Sequence, residues 1–568
     1  MNALLLMVLT FFGYLIAYFT YGRFLSKHIF KLNPKRLVPS HEFEDGHDYV
    51  PTSKWVIFGH HFTSIAGTGP IVGPAIAILW GWLPAVLWVF FGSIFIGAVQ
   101  DFAALVISMR NQGKSISDIA AKYVNKRVQK IFFIIVFFSL WIVLAIFGLV
   151  IASIFALFPT SVFPIWMQIP LSVLLGYIVY KKGGNLKKST IIMVFIMYVL
   201  IFMGQFLPFK MPGLFGIPAT GIWTILLLAY AFIASVLPVT TLLQPRDYLN
   251  AVQLYIILGL IILGIFFAAF KVDLIIPAPV FDAAPKGAPL IWPFLFITLA
   301  CGAVSGFHSL VASGTSSKQI SSEADAEFIG YGGMLIESFL AIIVIIAVTA
   351  GLGMAYPIET GEVLTGLAAW KVHYSSWGAS AGLASKLEAV VIGGSNLMSA
   401  IAIPKALGIV LLGVFIASFA GTTLDSATRI QRYIITELFA DTKLKVLTNK
   451  WLATGLAVFT GGVLAFSSGA SGKGALLLWP VFGCVNQLLA GLSLMVITVY
   501  LRRKGGLKYL FTGIPCLIML GLTIWASVLN QISFFQSQNL FLQALNFGIL
   551  ALAIVMSYET LVVFLKRK

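Results

Sequence analysis

Apolar runs of about 17 to 25 residues recur along the whole 568-residue chain, separated by short stretches rich in lysine, arginine, glycine and proline. Such a run crosses roughly 30 Å of hydrocarbon as a helix, the one open-ended element that satisfies its own backbone in lipid. Sustained alternation of apolar and polar positions is missing, so the pattern predicts helices and not a β-barrel. The runs place spans at about 2–21, 55–80, 83–109, 131–157, 165–180, 189–207, 220–243 and 252–270. They continue at about 290–312, 333–356, 405–428, 451–467, 475–501, 509–529 and 543–565, about fifteen in all. Parity then keeps 357–404 external, with the weakly apolar 386–403 as a re-entrant or surface helix. The first run lacks a basic leader and a small-residue cleavage site and reads as a retained span, not a signal peptide.

Composition agrees: 59% of residues are hydrophobic and 10% charged, a balance that one soluble core of this length cannot hide. The net charge of +17 changes the picture only through its distribution. Lysines and arginines gather in 22–54, 110–130, 181–188, 429–450, 502–508 and the C-terminal Lys566, Arg567 and Lys568. Roughly thirty of the 37 fall on one side, the positive-inside bias and not a nucleic-acid surface. This predicts an external N-terminus and a cytoplasmic C-terminus in the cytoplasmic membrane. Cys301, Cys484 and Cys516 lie in apolar runs at unrelated spacings and read as buried thiols.

Helix breakers inside spans locate a candidate pathway. In FGHHFTSIAGTGPIVGP (58–74), Pro70 has no N–H to give residue 66 and the flanking glycines favour unwinding. Freed carbonyls and amides at mid-depth must line a cavity or contact protein, as where half-helix ends face a substrate anion in secondary transporters. An inverted repeat demands a second break of opposite direction. The span 220–243, with Ala234-Ser235-Val236-Leu237-Pro238-Val239-Thr240-Thr241, meets that condition. Spans two to six and seven to eleven then form two five-helix units. The chain divides into 1–54 (first helix and basic loop), 55–208 (first unit), 209–428 (second unit) and 429–568 (additional helices). A third interrupted stretch, 301–316, is dense in small residues and hydroxyls. Ser305, His308 and Ser309 there are candidates to complete a cation site, against back-bonding of the hydroxyls to helical carbonyls.

Ionisable groups within spans are expensive and are functional candidates by default. Asp101 lies over two turns from Arg110 and is read as a proton carrier or as a partner of His60 or His61. The two imidazoles, near the cytoplasmic entrance of the broken helix, are candidate proton relays. Glu337 reads as a snorkelling carboxylate one turn inside its span, and Asp425 with Arg429 as an internal i,i+4 ion pair. The Asn486-Gln487 step reads as an interhelical hydrogen-bond anchor. Ligand spacing does not support a metal site.

FGHHFTSIAGTGPIVGP, GAVQDFAALVISMRNQGKSISDI, CGAVSGFHSLVASGTSSKQI, TTLDSATRIQRY and WPVFGCVNQLLAGLSL resemble the signature segments of the carbon starvation protein A family, spread over about 55–495. The resemblance implies the leucine-transporter type of inverted-repeat fold and uptake of peptides or of pyruvate with protons under nutrient limitation. The expected activity is therefore proton-coupled import of small peptides and/or pyruvate. Ala66, Gly67, Thr68, Gly69, Ser235, Thr240 and Thr241 would hold substrate. His60, His61, Asp101, Ser305, His308 and Ser309 would couple the ion. Sodium held by carbonyls near Ala66 and the hydroxyls of Ser305 or Ser309 is the alternative, and a non-transporting starvation-responsive sensor another. A nucleotide-binding GxxxxGK[ST] loop is missing, no cofactor beyond H+ or Na+ is expected, and an intramembrane enzyme lacks a nucleophile at a recognisable spacing.

Overall fold

The computed structural model describes residues 1–358, 361–380, 382–440 and 442–566. Residues 359, 360 and 381 of the predicted external segment, and Arg567 and Lys568 of the basic C-terminus, lie outside the described residues. Among the described residues, 13 helices are long and apolar enough to cross a membrane. In chain order they begin with α1 Ala3–Phe30, α2 Lys54–Trp80, α3 Trp82–Met109 and α4 Lys126–Leu157. Next come α5 Pro159–Lys181, α6 Leu186–Gly204, α7 Ala219–Val236 and α8 Leu243–Lys271. A helix in three pieces, α9, covers 291–314, and α10 Glu323–Met354 follows. After α11 Leu383–Ser399 come α12 Lys405–Phe439, the 16-residue α13 Lys450–Ala465 and α14 Trp479–Arg503. The chain closes with α15 Gly506–Gln536 and α16 Leu540–Leu565.

Two of the three longest rods, α4 and α12, pack along each other and form the axis of the bundle. Around them α3 lies against α10, α7 against α13, and the second half of α2 against the middle piece of α9. Helices α5 and α6 form a hairpin on the flank, where much of their surface is exposed, as expected of lipid-facing helices. The ends of the helices sort into two sets. At one, the basic end, Arg110 binds Glu323 and the Phe30 carbonyl, Arg503 binds the Tyr123 carbonyl, and Arg127 binds Glu559. At the other, the far end, Ala3 N–H bonds to Leu274, Phe209 to Pro159, and Lys271 Nζ reaches the Ala400 carbonyl. Helix α11 belongs to the far end, wedged among α8, α10 and α12.

Two helices are interrupted at the same level. In α2, helix Lys54–Ala66 stops at Gly67 (φ 44°, ψ −140°), a conformation open only to glycine, and resumes at Gly69–Ala77 with Pro70 in its first turn. Gly67 passes against Thr423 of α12, and any side chain at Gly69 would collide with Cys301 of α9. In α9, Ile291–Thr298 and Ala300–Ala303 are followed by extended Val304 and Ser305, and Gly306–Gly314 completes the helix. The break facing 66–69 is therefore in 291–314, not in 220–243 as the sequence pattern indicated. Helix α7 runs unbroken and ends beside Pro238, in a turn where Val239 N–H bonds to the His47 carbonyl at the basic end. Pro238 terminates a helix there and leaves none unwound at mid-depth.

Candidate functional site

Between the two breaks and the far end lies a cavity of about 730 Å³. Thr68, Gly69 and Cys301 form its floor, and Trp479, Lys386 and Asn530 stand among its walls. The floor is thus the N-terminal turn of one half-helix, where the Ile71 and Val72 N–H groups bond to the Thr68 carbonyl, and the broken segment of another. Asn486 of α14 anchors that segment. Its Oδ1 accepts the Phe307 N–H at 3.0 Å, and its amide exchanges hydrogen bonds with Ser305 Oγ at 3.1 and 3.2 Å. The neighbouring Gln487 Nε2 donates to the Phe296 carbonyl at 2.6 Å. The Asn-Gln step is thus an interhelical anchor, and its partner is the broken helix itself.

Below this floor, towards the basic end, lies a set of three fully buried ionisable groups. Gln100 Nε2 donates to the Ser305 carbonyl at 2.7 Å, and the next residue, Asp101, places Oδ2 3.0 Å from His308 Nδ1. On the other side of the ring, Glu337 Oε2 lies 3.5 Å from Nε2, within ion-pair range but beyond a formed hydrogen bond. All three side chains are 0% exposed, and Asp101 Oδ1 and both Glu337 oxygens have no hydrogen-bond partner. Asp101 therefore pairs with His308 and not with His60 or His61. Glu337 does not snorkel, because its helix starts at Glu323, four turns earlier, and carries it deep into the bundle.

A second buried network crosses from α2 to α12. His60 Nδ1 and Asp247 Oδ2 are 2.6 Å apart, and Asp247 Oδ1 accepts from Arg246 Nη2 at 3.2 Å. Arg246 also grips Asp425, whose Oδ2 accepts from Tyr230 Oη at 2.9 Å. Asp425 thus pairs with Arg246 rather than Arg429, although the i,i+4 spacing had matched the two. Arg429 instead reaches Asp48 at 2.9 Å and the carbonyls of Ala234 and Leu237. Tyr433 Oη donates to Asp48 at 2.6 Å, and Lys318 Nζ sits 4.1 Å over the Tyr433 ring. This third cluster ties the loop before α2, the segment after α9 and the end of α12 together at the basic end. Burial alone would push the Asp48 carboxyl up, but His47, Arg429 and Lys318 outweigh it and hold it well below the usual range.

The remaining candidates are scattered. His61 Nδ1 meets Ser316 Oγ at 2.8 Å, so the three histidines have three separate partners. Ser309 bonds back to the Gly306 carbonyl and to Ser493, and Ser305 is held by Asn486, so neither hydroxyl contacts the α2 break. The oxygens at the end of the first half-helix come from α12: Thr423 Oγ1 donates to the Ser64 carbonyl, and Ser426 Oγ meets Ser64 Oγ at 2.9 Å. Ser235 is buried near the basic end of α7, and Thr240 and Thr241 lie in the turn beyond it, against Gly176. These three do not join Ala66 to Gly69.

A family model described as Carbon starvation protein CstA matches residues 2–526. The chain belongs to this family. The Helicobacter pylori (strain J99) peptide transporter CstA is 33% identical over 93% of this chain and 82% of its own length. The Escherichia coli (strain K12) pyruvate/proton symporter BtsT is 32% identical over 94% and 82%. Among solved structures, a mutant of the Eremococcus coleocola manganese transporter is similar with a TM-score of 0.51 at 12% identity, covering 92% of this chain and 98% of that one. That likeness is one of fold. This CstA-family chain is a multi-pass, mostly helical membrane protein with a leucine-transporter-like bundle, and its curated relatives named above are transporters.

Proposed function

We propose that this chain is a proton-coupled secondary transporter that imports small peptides and/or pyruvate across the cytoplasmic membrane when carbon is scarce. The substrate is carried over from the CstA-family relatives named above. The coupling rests on one observation: Asp101, His308 and Glu337, three titratable side chains sealed inside the membrane one turn from the break in α9. One imidazolium balances one carboxylate, and the second carboxylate has no counter-charge in the set, so one further proton leaves it neutral. The substrate carboxylate binds at Thr68 and Gly69, at the positive dipole end of the half-helix Gly69–Ala77. The basic end is cytoplasmic by the positive-inside rule, with the N-terminus outside and the C-terminus in the cytoplasm. The far-end cavity then makes this an outward-open form, closed inside by Asp48 with Arg429 and Tyr433.

The inverted repeat falls in a different register from 55–208 and 209–428. We read one unit as 54–271, with the α5–α6 hairpin inserted, and the other as 291–503. Each then starts with a broken helix, and α3 with α10, α4 with α12 and α7 with α13 become the symmetry-related contacts. The chain crosses the membrane fifteen times on this reading, counting α9 and α13. Labelled pyruvate and a labelled dipeptide, offered to proteoliposomes under a pH gradient and a sodium gradient imposed separately, test the proposal. Uptake driven by the pH gradient and lost in Asp101→Asn and Glu337→Gln is the expected result. Uptake driven by sodium alone would favour the second reading, in which the oxygens of Ser64, Thr423 and Ser426 hold the coupling cation.

A further inference from the structure

Three aromatic rings follow one another from the break in α2 along a wall of the far-end cavity. The Phe147 ring of α4 lies at Gly67, 3.2 Å from where a side chain there would begin. Phe482 of α14 meets Phe147 edge to face, with ring centroids 6.5 Å apart and planes at 75°. Trp479, one turn earlier in α14, tilts against Phe482 at 5.8 Å. All three residues line the cavity, and Ile76, Ile146, Phe294 and Ile297 add to its apolar surface. Phe147 is buried, but Phe482 and Trp479 stay partly exposed. Rings that only filled a core would be closed over by their neighbours, whereas these keep apolar surface on a space of about 730 Å³ beside Thr68 and Gly69.

We propose that this wall is a side-chain subsite, and that it makes the preferred cargo a short peptide with an apolar or aromatic C-terminal residue. The inference rests on the import reading, which puts the substrate carboxylate at Thr68 and Gly69. The side chain of the residue bearing that carboxylate then starts beside the break, where Phe147 begins the wall, and extends along Phe482 and Trp479. A leucine or phenylalanine gains by leaving water for these rings, while an asparagine of leucine's size gives up its hydration against aromatic faces. Pyruvate carries a single methyl group beyond its carboxylate and ketone and covers little of the wall. The cavity volume lies in the usual range for pockets that enclose a whole drug-sized ligand, which is the size of a di- or tripeptide. None of this depends on which ion drives the cycle.

Equilibrium binding to the purified full-length protein decides it, with labelled Ala-Phe, Ala-Leu, Ala-Asn and pyruvate as ligands. The wild-type series needs no mutation. The same series is then run on monodisperse Phe482→Ala, Trp479→Ala and Phe482→Leu, the last of which keeps an apolar wall. The wild type should bind Ala-Leu and Ala-Phe about tenfold or more tighter than Ala-Asn, with pyruvate the weaker ligand throughout. That preference should shrink to within about threefold in the two alanine variants and largely persist in Phe482→Leu. Equal wild-type affinity for Ala-Leu and Ala-Asn overturns the proposal, as does an undiminished preference in both alanine variants, or a wild type that binds none of the peptides. Side-chain-dependent binding without uptake in proteoliposomes would uphold the subsite and remove the transport reading. Uptake that proceeds equally for Ala-Leu and Ala-Asn would do the reverse.

Discussion

Gly67→Ala is the sharpest test of the break in α2, because its cost divides into two parts that can be separated. The backbone at Gly67 (φ 44°, ψ −140°) lies where an L side chain is strained, about 1–3 kcal/mol for such a residue. A Cβ there would also sit 2.5 Å from Thr423 Oγ1 and 3.2 Å from the Phe147 ring. The hydroxyl would have to swing away and give up its 3.3 Å bond to the Ser64 carbonyl, a further loss of roughly 1 kcal/mol. Together the substitution should destabilise by about 2–4 kcal/mol, enough to straighten the helix or unfold part of the population. Adding Thr423→Ala removes the collision and not the backbone strain, so the double variant should recover about 1 kcal/mol and no more. Thermal unfolding of purified protein followed by size exclusion gives the stability, and dipeptide uptake gives the function. Gly67→Ala with wild-type unfolding and uptake would refute the unwound helix as a strained, functional feature. Full recovery in the double variant would show that sterics alone had been at issue.

Four further outcomes follow from the geometry. Asp101→Asn and Glu337→Gln should each leave substrate exchange at equal pH intact while lowering pH-driven uptake about 5- to 150-fold, as solute exchange and gradient-driven uptake in the same vesicles would reveal. Asp425→Asn removes one of the two buried carboxylates on Arg246 and should destabilise by up to roughly 3–5 kcal/mol, against under about 1 kcal/mol for Glu559→Gln, whose partner Arg127 is 73% exposed; the two unfolding curves compare them. Asp48→Asn should speed amide hydrogen exchange in 44–52 and 316–320 and leave the far-end loops unchanged. Because the Asp48 carboxyl is held low, its contribution is complete above the ordinary carboxylate range and is lost only as pH falls through the depressed value, so the wild-type protection factor there, exchange corrected for its intrinsic base catalysis, should be flat between about pH 5 and 8. Cys301, partly buried on the cavity floor, should react with a small membrane-impermeant thiol reagent and be protected by substrate, while the buried Cys484 and Cys516 stay unlabelled, as peptide mass mapping would record.

The first break could be read from the chain because glycine, proline and depth coincide at 66–70. The second was harder. Leu237-Pro238 carries the stronger local signal, but proline says only that a helix cannot continue and not how deep it stops, and here it stops at the basic end. The real partner, 298–305, has no proline and is held open from outside by Asn486, Gln487 and Gln100, residues of other helices. Asp101 stood out by depth, yet its partner lies 207 residues away, and local spacing favoured the wrong imidazoles. For Asp425 and Arg429 the i,i+4 rule described two neighbours on one face, but tertiary partners took each of them separately. Glu337 could have been found by its start signal. Ser322 caps the helix by accepting the Ala324 N–H, so α10 begins well before its apolar run at 333 and its carboxylate is central, not interfacial.

The two fully buried networks differ in a way that assigns them different tasks. In the His60 set, Arg246 stands between Asp247 and Asp425, and His60 and Tyr230 each hold one of those carboxylates. Three of the four carboxylate oxygens there have a donor, Asp425 Oδ1 being the exception, and losing the proton from any of those donors would break a formed bond. Such a set fixes the relative positions of α2, α7, α8 and α12. In the Asp101 set two carboxylates share one imidazole, three of their four oxygens have no hydrogen-bond partner, and the ring sits in the piece of helix just past the break. A proton gained or lost there changes the charge of the set without dismantling a satisfied lattice. It also acts on the segment whose other end lines the far-end cavity through Cys301. On the proposed function, coupling requires a group that can change charge and is mechanically joined to the cavity, and of the two networks the one around His308 is joined to it through the broken helix.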